Sequence, residues 1–313
     1  MIKEEFYFDS RDGENRIHAV RYTPDDGNVR GIVQIVHGMA EYGERYENLA
    51  EFLTKRGILV TGEDHLGHGK SVSEGGSFGY FCEQDPATVV VRDVHRLKKI
   101  TEEQYPQVPY IILGHSMGSF IARNYLCRYG SGIGGAVIVG TGMQSAGLIF
   151  ASKAMAGIQK LFCGSKHVSH FMDKAAFGGY NKRIDSPRTS SDWLSRNTEN
   201  VDRYIEDELC GFTFTVNGFQ TLFELIRRLQ KQENLEKVPQ NLPILMVSGA
   251  EDPVGDYGKG VHKACDSLKR AGVKNITVKL YENDRHELLN EDDAEVAMED
   301  IWQWICKEIP GVA

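Results

Sequence analysis

Ser116 carries the strongest chemical signal in this chain, because it lies in the pentapeptide Gly114-His115-Ser116-Met117-Gly118. An apolar run, 108–113, precedes the pentapeptide, and a helix-like segment, 119–129, follows it. Glycines on both sides of a serine, between a strand and a helix, are typical of a sharp turn that exposes the hydroxyl at the carboxyl end of a sheet. A serine that only capped a helix would not need both glycines. The pattern therefore predicts a nucleophilic serine.

A serine hydroxyl is a poor nucleophile until a base takes its proton, and the base is normally a histidine whose ring is held by a carboxylate. Asp252 follows the predicted strand 244–247, and His286 follows the predicted strand 276–281. The order of serine, acid and histidine along the chain is that of the α/β-hydrolase fold. Because parallel strands end at one edge of a sheet, we expect the three side chains to converge there.

Other side chains compete for the roles of acid and base. Glu251 and Asp256 lie close to Asp252 in the chain and remain candidates for the acid. His115 adjoins the serine on a tight turn, so its ring cannot swing back to the hydroxyl. His37, His65 and His68 precede the serine in the chain, and His167 and His170 lie between residues 142 and 239. His286 is therefore the better candidate for the base.

Short apolar segments alternate with helical patterns along most of the chain. The predicted strands are 5–10, 17–22, 31–36, 58–61, 110–113, 136–139, 244–247 and 276–281. Short buried strands separated by helices predict an α/β fold with a mostly parallel central sheet and helices on both faces. The alternation stops near Gly142 and resumes after Pro239. We expect residues 1–142 and 241–313 to form an α/β-hydrolase core, and residues 143–240 a helical cap insertion above the carboxyl edge of the sheet.

Acyl transfer also needs backbone N–H groups that stabilise the developing oxyanion. In this fold they come from the residue after the nucleophile and from the loop after an earlier strand, which would be Met117 and Met39. The glycine-rich run 64–71 lacks the spacing of a phosphate-binding loop and a third set of metal ligands. We therefore expect neither a metal nor another cofactor.

The composition excludes several classes of protein. The 313 residues carry a net charge of −8, which argues against nucleic-acid binding. The six cysteines are scattered, so neither a disulfide framework nor a zinc site is indicated. The first residues lack the apolar segment of a signal peptide, and no apolar run is long enough to span a bilayer. We expect a cytoplasmic protein, and the sequence indicates no particular oligomeric state.

Motifs along nearly the whole chain resemble the monoglyceride lipase family of α/β-hydrolases. They are His37-Gly38-Met39-Ala40-Glu41 with Arg45-Tyr46, then Asp64-His65-Leu66-Gly67-His68-Gly69, and the pentapeptide around Ser116. The segments 192–196, 210–213 and 285–291 are similar to the bacterial branch of that family, usually labelled lysophospholipases.

The resemblance implies a function for several residues. It implies Ser116, Asp252 and His286 as the catalytic triad, Met39 and Met117 as oxyanion donors, and Glu41 as a polar neighbour of the site that binds substrate. The lipases usually have a smaller residue at the position of Met39, so its bulky side chain could narrow the acyl entrance.

A serine esterase acting on monoacyl lipids, as a monoacylglycerol lipase or lysophospholipase, is the function we expect. A carboxylesterase for short or aromatic esters, or a proline-type aminopeptidase, stays open as an alternative on the same fold. The aminopeptidase would need cap carboxylates to hold a free amine, and the segment 199–208 offers several. A hydrolase-fold protein that only binds its ligand would usually lack a triad residue, and none is missing here.

The cap segment is rich in apolar side chains, of which we expect Phe212 and Phe214 to contact the acyl chain. Basic residues also outnumber acidic ones between 153 and 188. This excess is typical of an ordinary solvated helix surface. It is also compatible with a weak peripheral contact with an anionic membrane.

Overall fold

The computed structural model describes all residues from Met1 to Ala313. Eight strands form one sheet in the order β1-β2-β4-β3-β5-β6-β7-β8. Their bounds are β1 Ile2–Asp9, β2 Arg16–Thr23, β3 Gly31–Val36, β4 Ile58–Glu63, β5 Tyr110–His115, β6 Gly135–Val139, β7 Ile244–Gly249 and β8 Ile276–Tyr281. Strand β2 pairs antiparallel with β1 and β4, and all other pairs are parallel. The predicted α/β fold with a mostly parallel sheet is confirmed.

Ten α-helices accompany the sheet. Their bounds are α1 Glu47–Thr54, α2 Pro86–Gln104, α3 Met117–Tyr129, α4 Ala146–Cys163, α5 His170–Phe177, α6 Thr198–Glu206, α7 Val216–Leu229, α8 Gln232–Leu235, α9 Lys259–Arg270 and α10 Ala294–Glu308. Helices α2, α3 and α9 pack into one apolar cluster, whereas α1 and α10 pack into a second one. Strands β3, β5, β6 and β7 are buried along their whole length, as expected for a sheet that is covered on both faces.

Five helices, α4 to α8, lie between β6 and β7, and we refer to residues 143–240 as the cap segment. These helices differ in how firmly they are packed. Ten of the fourteen residues of α7 are buried, and α7 contacts α2 and α3. In α4 only Ile149 and Ala156 are buried, and in α5 only Met172. The cap segment therefore has a well-anchored part and a loosely packed part.

None of the helices combines the length and the apolar character that crossing a bilayer requires.

Candidate active site

Ser116 lies between β5 and α3, on the turn that the pentapeptide predicted. Its backbone adopts φ 55° and ψ −121°, a conformation that is strained for any residue other than glycine. A Cβ on Gly118 would collide with the carbonyl oxygen of Val36, and one on Gly114 would lie 2.5 Å from the carbonyl oxygen of Gly118. The glycines thus let α3 approach the sheet closely enough to hold the serine in this turn.

The structure brings Ser116, His286 and Asp252 together at the carboxyl edge of the sheet. Ser116 Oγ lies 2.8 Å from His286 Nε2, and His286 Nδ1 lies 3.0 Å from Asp252 Oδ1. The Nδ1–H group is not aligned well with Asp252 Oδ1, so this second contact has the distance of an ion pair without the geometry of a good hydrogen bond. A neutral imidazole with its proton on Nδ1 can accept the serine proton on Nε2.

Strand β7 and the loop after it orient Asp252, which is completely buried. Ser248 Oγ donates to Asp252 Oδ2 over 3.1 Å, and the Val254 N–H donates to Asp252 Oδ1 over 2.8 Å. The two rival acids, Glu251 and Asp256, are exposed, and neither forms an ion pair with His286. Of the three acids, the structure therefore brings only Asp252 to the imidazole.

Two backbone amides beside Ser116 have no acceptor within the protein. Met117 is the first residue of α3, where the geometry of a helix leaves its N–H free. Met39 lies in the turn after β3, and its N–H makes no backbone hydrogen bond. The turn lies close to Ser116, because a Cβ on Gly38 would be 3.1 Å from the Cβ of that serine. The arrangement offers two free donors next to the serine, as an oxyanion hole requires.

Glu41 anchors the turn that carries Met39. Its carboxylate accepts hydrogen bonds from the Gly38 N–H and from Tyr46 Oη. It also contacts Arg45 Nη1 at 3.0 Å and His115 Nδ1 at 3.1 Å. Burial alone would raise the pKa of Glu41, but the hydrogen bond from His115 and the charge of Arg45 outweigh it and hold the pKa well below its ordinary value. Glu41 lines the cavity described below, yet its oxygens already have partners within the protein.

His115 also connects this network to His286. Its Nδ1 faces Glu41, and its Nε2 lies 3.2 Å from the carbonyl oxygen of His286. With an acceptor at each nitrogen, the ring is suited to be an imidazolium. Burial disfavours that charge, but Glu41 outweighs the burial, so the pKa of His115 is raised above its ordinary value.

Arg45 connects the network to Glu287, the residue after His286. It binds both carboxylate oxygens of Glu287, over 2.7 and 3.0 Å. Asn200 of α6 donates to the same carboxylate. Burial would raise the pKa of Glu287, but the charge of Arg45 outweighs it and lowers the pKa below its ordinary value. The sequence alone assigns no role to Arg45, although it lies within a motif that resembles the monoglyceride lipase family.

A cavity of about 670 Å³ opens beside Ser116 and is lined mostly by hydrophobic residues. The cap segment supplies much of its wall, including Leu148, Ile149, Met155, Met172, Phe177 and Trp193. Phe212 also lines the cavity. A mainly apolar cavity with a few polar groups at one end suits a small ligand with an apolar chain.

Phe214 is not part of the cavity wall, so the expectation that it contacts the acyl chain is wrong. Its side chain is completely buried. The centroid of its ring lies 5.3 Å from the ring centroid of His68, 5.8 Å from that of Phe81 and 5.9 Å from that of Phe219. Phe214 fills the contact between the cap segment and the core. Its packing partners are distant in sequence, so its position could not be read from the local pattern.

The sequence matches the family model described as serine aminopeptidase, S33 (Hydrolase_4), over residues 27–293. The chain belongs to this family. The protein is therefore a serine hydrolase, and its expected enzymatic class is confirmed.

Known proteins from several organisms are similar to this chain. A monoglyceride lipase of Rattus norvegicus is 29% identical over 87% of this chain and 80% of its own length. A monoacylglycerol lipase of Mycolicibacterium smegmatis is 27% identical over 92% of both chains. The crystal structure of a thermostable carboxyl esterase from Bacillus coagulans superposes with a TM-score of 0.91, at 31% identity, over 98% of this chain and 99% of its own. These likenesses confirm the resemblance to the monoglyceride lipase family of α/β-hydrolases.

Proposed function

We propose that this protein hydrolyses the carboxylic ester of monoacylglycerols through an acyl-enzyme on Ser116. His286 takes the serine proton as the hydroxyl attacks the ester carbonyl, and Asp252 stabilises the imidazolium that forms. The N–H groups of Met39 and Met117 hold the negative oxygen of the tetrahedral intermediate. The glycerol leaves with the proton from His286. Water then attacks the acyl-enzyme as His286 takes a proton from it, and the fatty acid is released when His286 returns that proton to the oxygen of Ser116.

The observation that carries this proposal is the 2.8 Å contact between Ser116 Oγ and His286 Nε2 at the wall of a mainly apolar cavity. Transfer of an apolar chain from water into such a cavity is favourable by about 0.8 kcal/mol for each methylene group. The curated relatives named as monoglyceride and monoacylglycerol lipases support the glyceryl ester as the substrate. We propose residues 143–240 as the cap that closes the cavity over the core.

An aminopeptidase, the activity named in the family description, is less well supported. The acidic residues of the segment 199–208 do not line the cavity. Asp202 pairs with Arg188 at 2.8 Å, and Asp207 accepts a hydrogen bond from Tyr42. They are therefore not placed to hold the free amine of a peptide substrate. A lysophospholipid or a short ester would use the same catalytic residues, so both are included among the substrates of the experiment below.

Turnover of four substrates tests the proposal: a monoacylglycerol, a lysophospholipid, a short p-nitrophenyl ester and proline naphthylamide. We expect monoacylglycerol to be hydrolysed most efficiently. Ser116→Ala and His286→Ala should abolish turnover without lowering the melting temperature by more than a few degrees. His262→Ala, on the exposed side of α9, is the matched control and should retain full activity. Efficient cleavage of the naphthylamide without ester turnover would replace this proposal by the aminopeptidase.

We further propose that the cap segment makes a weak peripheral contact with membranes, where monoacyl lipids reside. Phe150, Leu161 and Phe162 of α4 are 78%, 80% and 80% exposed. An exposed apolar patch of this kind is unusual for a surface that contacts only water. Lys153 and Lys160 of the same helix already pair with Glu224 and Glu83. The contact should therefore depend more on apolar insertion than on charge.

Sedimentation with neutral and anionic vesicles, at low and high salt, tests the membrane contact. The wild type should bind both kinds of vesicle with little effect of salt, and the double variant Phe150→Ser/Phe162→Ser should not bind. Val296→Ser, at another exposed apolar position, is the control and should bind like the wild type. Negligible binding of the wild type in all four conditions would contradict the proposed membrane contact.

We also propose a cytoplasmic location, which the six unpaired thiols support.

A further inference from the structure

The indole of Trp193 packs against the imidazole of His286. Their ring centroids are 5.0 Å apart with an angle of 39° between the planes. The ring of His115 is a second neighbour of the imidazole, at 4.8 Å. Trp193 belongs to the cap segment, whereas His286 and His115 belong to the core. The cap segment therefore touches the proposed base as well as the proposed acyl site.

Backbone contacts hold Trp193 in this position, because both chain neighbours of His286 bind the residues around it. The Glu287 N–H donates to the carbonyl oxygen of Leu194 over 2.7 Å. Arg285 Nη1 donates to the carbonyl oxygens of Asp192 and Ser195, over 2.7 and 3.0 Å. The loop of the base and the segment 192–195 are thus bound to each other on both sides of the ring pair.

A buried carboxylate reinforces the same connection. Glu291 accepts hydrogen bonds from Ser195 Oγ and the Arg196 N–H in the cap segment, and from the Arg285 N–H in the loop of the base. Arg196 also pairs with Asp284. Separating the segment from the loop would leave these buried polar groups without partners, which costs free energy. The segment and the loop should therefore move as one body.

Trp193 is also held from its own side. Its backbone N–H donates to Asn181 Oδ1 over 2.9 Å, and the ring of Tyr180 meets the indole edge-on at 4.8 Å. Phe177 lies farther away, at 6.5 Å from the indole, and makes no ring contact with His286. Trp193 and Phe177 both line the cavity, but only Trp193 contacts the imidazole.

We propose that Trp193 is a positioning residue for His286: its indole restricts the imidazole to the orientation in which Nε2 faces Ser116. This inference rests on the proposed role of His286 as the base. A base must stand within about 3 Å of the proton that it takes, and small displacements of a reacting group can reduce rates by orders of magnitude. The aliphatic side chain of leucine would fill part of the space but would leave the ring freer to rotate.

Steady-state kinetics on p-nitrophenyl acetate and p-nitrophenyl dodecanoate separate this role from that of a simple cavity wall. The acetyl group is too short to need the apolar cavity. If Trp193 positions the base, Trp193→Leu lowers kcat about tenfold for both esters and leaves KM for the acetate nearly unchanged. If Trp193 is only a wall, the loss is confined to the dodecanoate and falls largely on KM. The second result would overturn the inference.

Two further variants sharpen the comparison. Trp193→Phe keeps an aromatic ring over the imidazole and should recover kcat to within about threefold of the wild type. Phe177→Leu is the matched control, since it changes the same cavity without touching the imidazole. It should affect the dodecanoate alone. Equal losses of acetate turnover in Phe177→Leu and Trp193→Leu would contradict a specific effect on the base.

Arg285→Met provides an independent test if Trp193→Leu fails to fold. It removes the two hydrogen bonds to the cap backbone and leaves the cavity wall unchanged, so kcat for the acetate should again fall with KM preserved. Two results together would refute the inference. The first is an unchanged kcat in Arg285→Met, and the second is a kcat in Trp193→Phe as low as that of a poorly active Trp193→Leu. Absence of ester turnover by the wild type would instead refute the proposed function, so the two failures are distinguishable.

Discussion

At the scale of single residues, the environment of Asp252 suits a carboxylate whose task is to orient the imidazole. One donor from β7 and one from the loop after it hold its carboxylate, and its contact with His286 Nδ1 is 3.0 Å. Asp252→Asn keeps the shape of the side chain but can present an N–H to the ring, which favours the wrong tautomer. We expect kcat for ester hydrolysis to fall by about 10³ to 10⁴. Glu251→Gln, one residue away and exposed, should retain full activity, and a loss below tenfold in Asp252→Asn would speak against its role.

The contacts of Glu41 predict that its substitution lowers both activity and stability. Glu41→Gln removes the negative charge that balances Arg45 and His115 and weakens the anchor of the Gly38 N–H. Breaking a buried ion pair costs about 3 kcal/mol or more, and the displaced Met39 amide should lower kcat.

The pH dependence of this cost follows from the low pKa of Glu41 in the folded state. The stabilisation by its carboxylate is fully present above its unfolded pKa of about 4.5 and is lost as the pH falls toward the folded value. The difference in the free energy of unfolding between wild type and Glu41→Gln, measured in urea, should therefore be larger at pH 7 than at pH 4. A difference that grows on acidification would contradict this account.

At the scale of secondary-structure elements, Asp93 of α2 connects the helix to the turn between β1 and β2. It accepts hydrogen bonds from Ser10 Oγ and the Arg11 N–H. Burial nevertheless raises its pKa from 3.8 to about 7. Between these two values the folded state keeps a proton that the unfolded chain has released, so the free energy of unfolding falls as the pH rises.

Asp93→Asn should remove this pH dependence of the free energy of unfolding, because the asparagine amide is never ionised. The amide can still form hydrogen bonds with Ser10 Oγ and the Arg11 N–H. We expect the variant to be more stable than the wild type by about 2 kcal/mol at pH 8, and by less at pH 5. Urea unfolding at the two pH values measures the difference, with Glu103→Gln on the exposed side of α2 as the control. A variant less stable than the wild type at pH 8 would show that the hydrogen bonds outweigh the ionisation.

The elements themselves were largely predictable from the sequence. Strands β3 and β8 have the predicted bounds, because short apolar runs rich in β-branched residues are distinctive. Strand β1 begins at Ile2 rather than Glu5, since an edge strand can extend by pairing with its neighbour without being buried. The residues around Ser116 were predictable because the turn depends on local glycines.

At the scale of the whole molecule, the contacts between the cap segment and the core were not predictable. The hydrogen bond from the Glu287 N–H to the Leu194 carbonyl joins residues 93 positions apart, and no local pattern indicates it. The same holds for Arg45, which connects Glu41, Glu287 and the α6 residue Asn200. Local patterns thus predict the candidate residues of the site, whereas long-range packing decides how they are held.

The uneven packing of the cap segment predicts how it moves. Helix α4 contributes only two buried residues, whereas α7 contributes ten, and the segment 192–195 is bound to the loop of His286. Local opening needs less free energy where fewer apolar contacts are lost. The cavity should therefore open through α4 and α5, while 192–195 stays in place above the imidazole.

Hydrogen exchange read by mass spectrometry tests this motion. Peptides of α4 should exchange at least about tenfold faster than those of α7, and the amides around Leu194 and Glu287 should exchange as slowly as α7. A long-chain fluorophosphonate bound to Ser116 should slow exchange in α4 and leave 192–195 unchanged, because only the loosely packed helices have freedom to lose. If 192–195 instead exchanges as fast as α4, the cap segment opens as one body and His286 loses its indole neighbour whenever substrate enters.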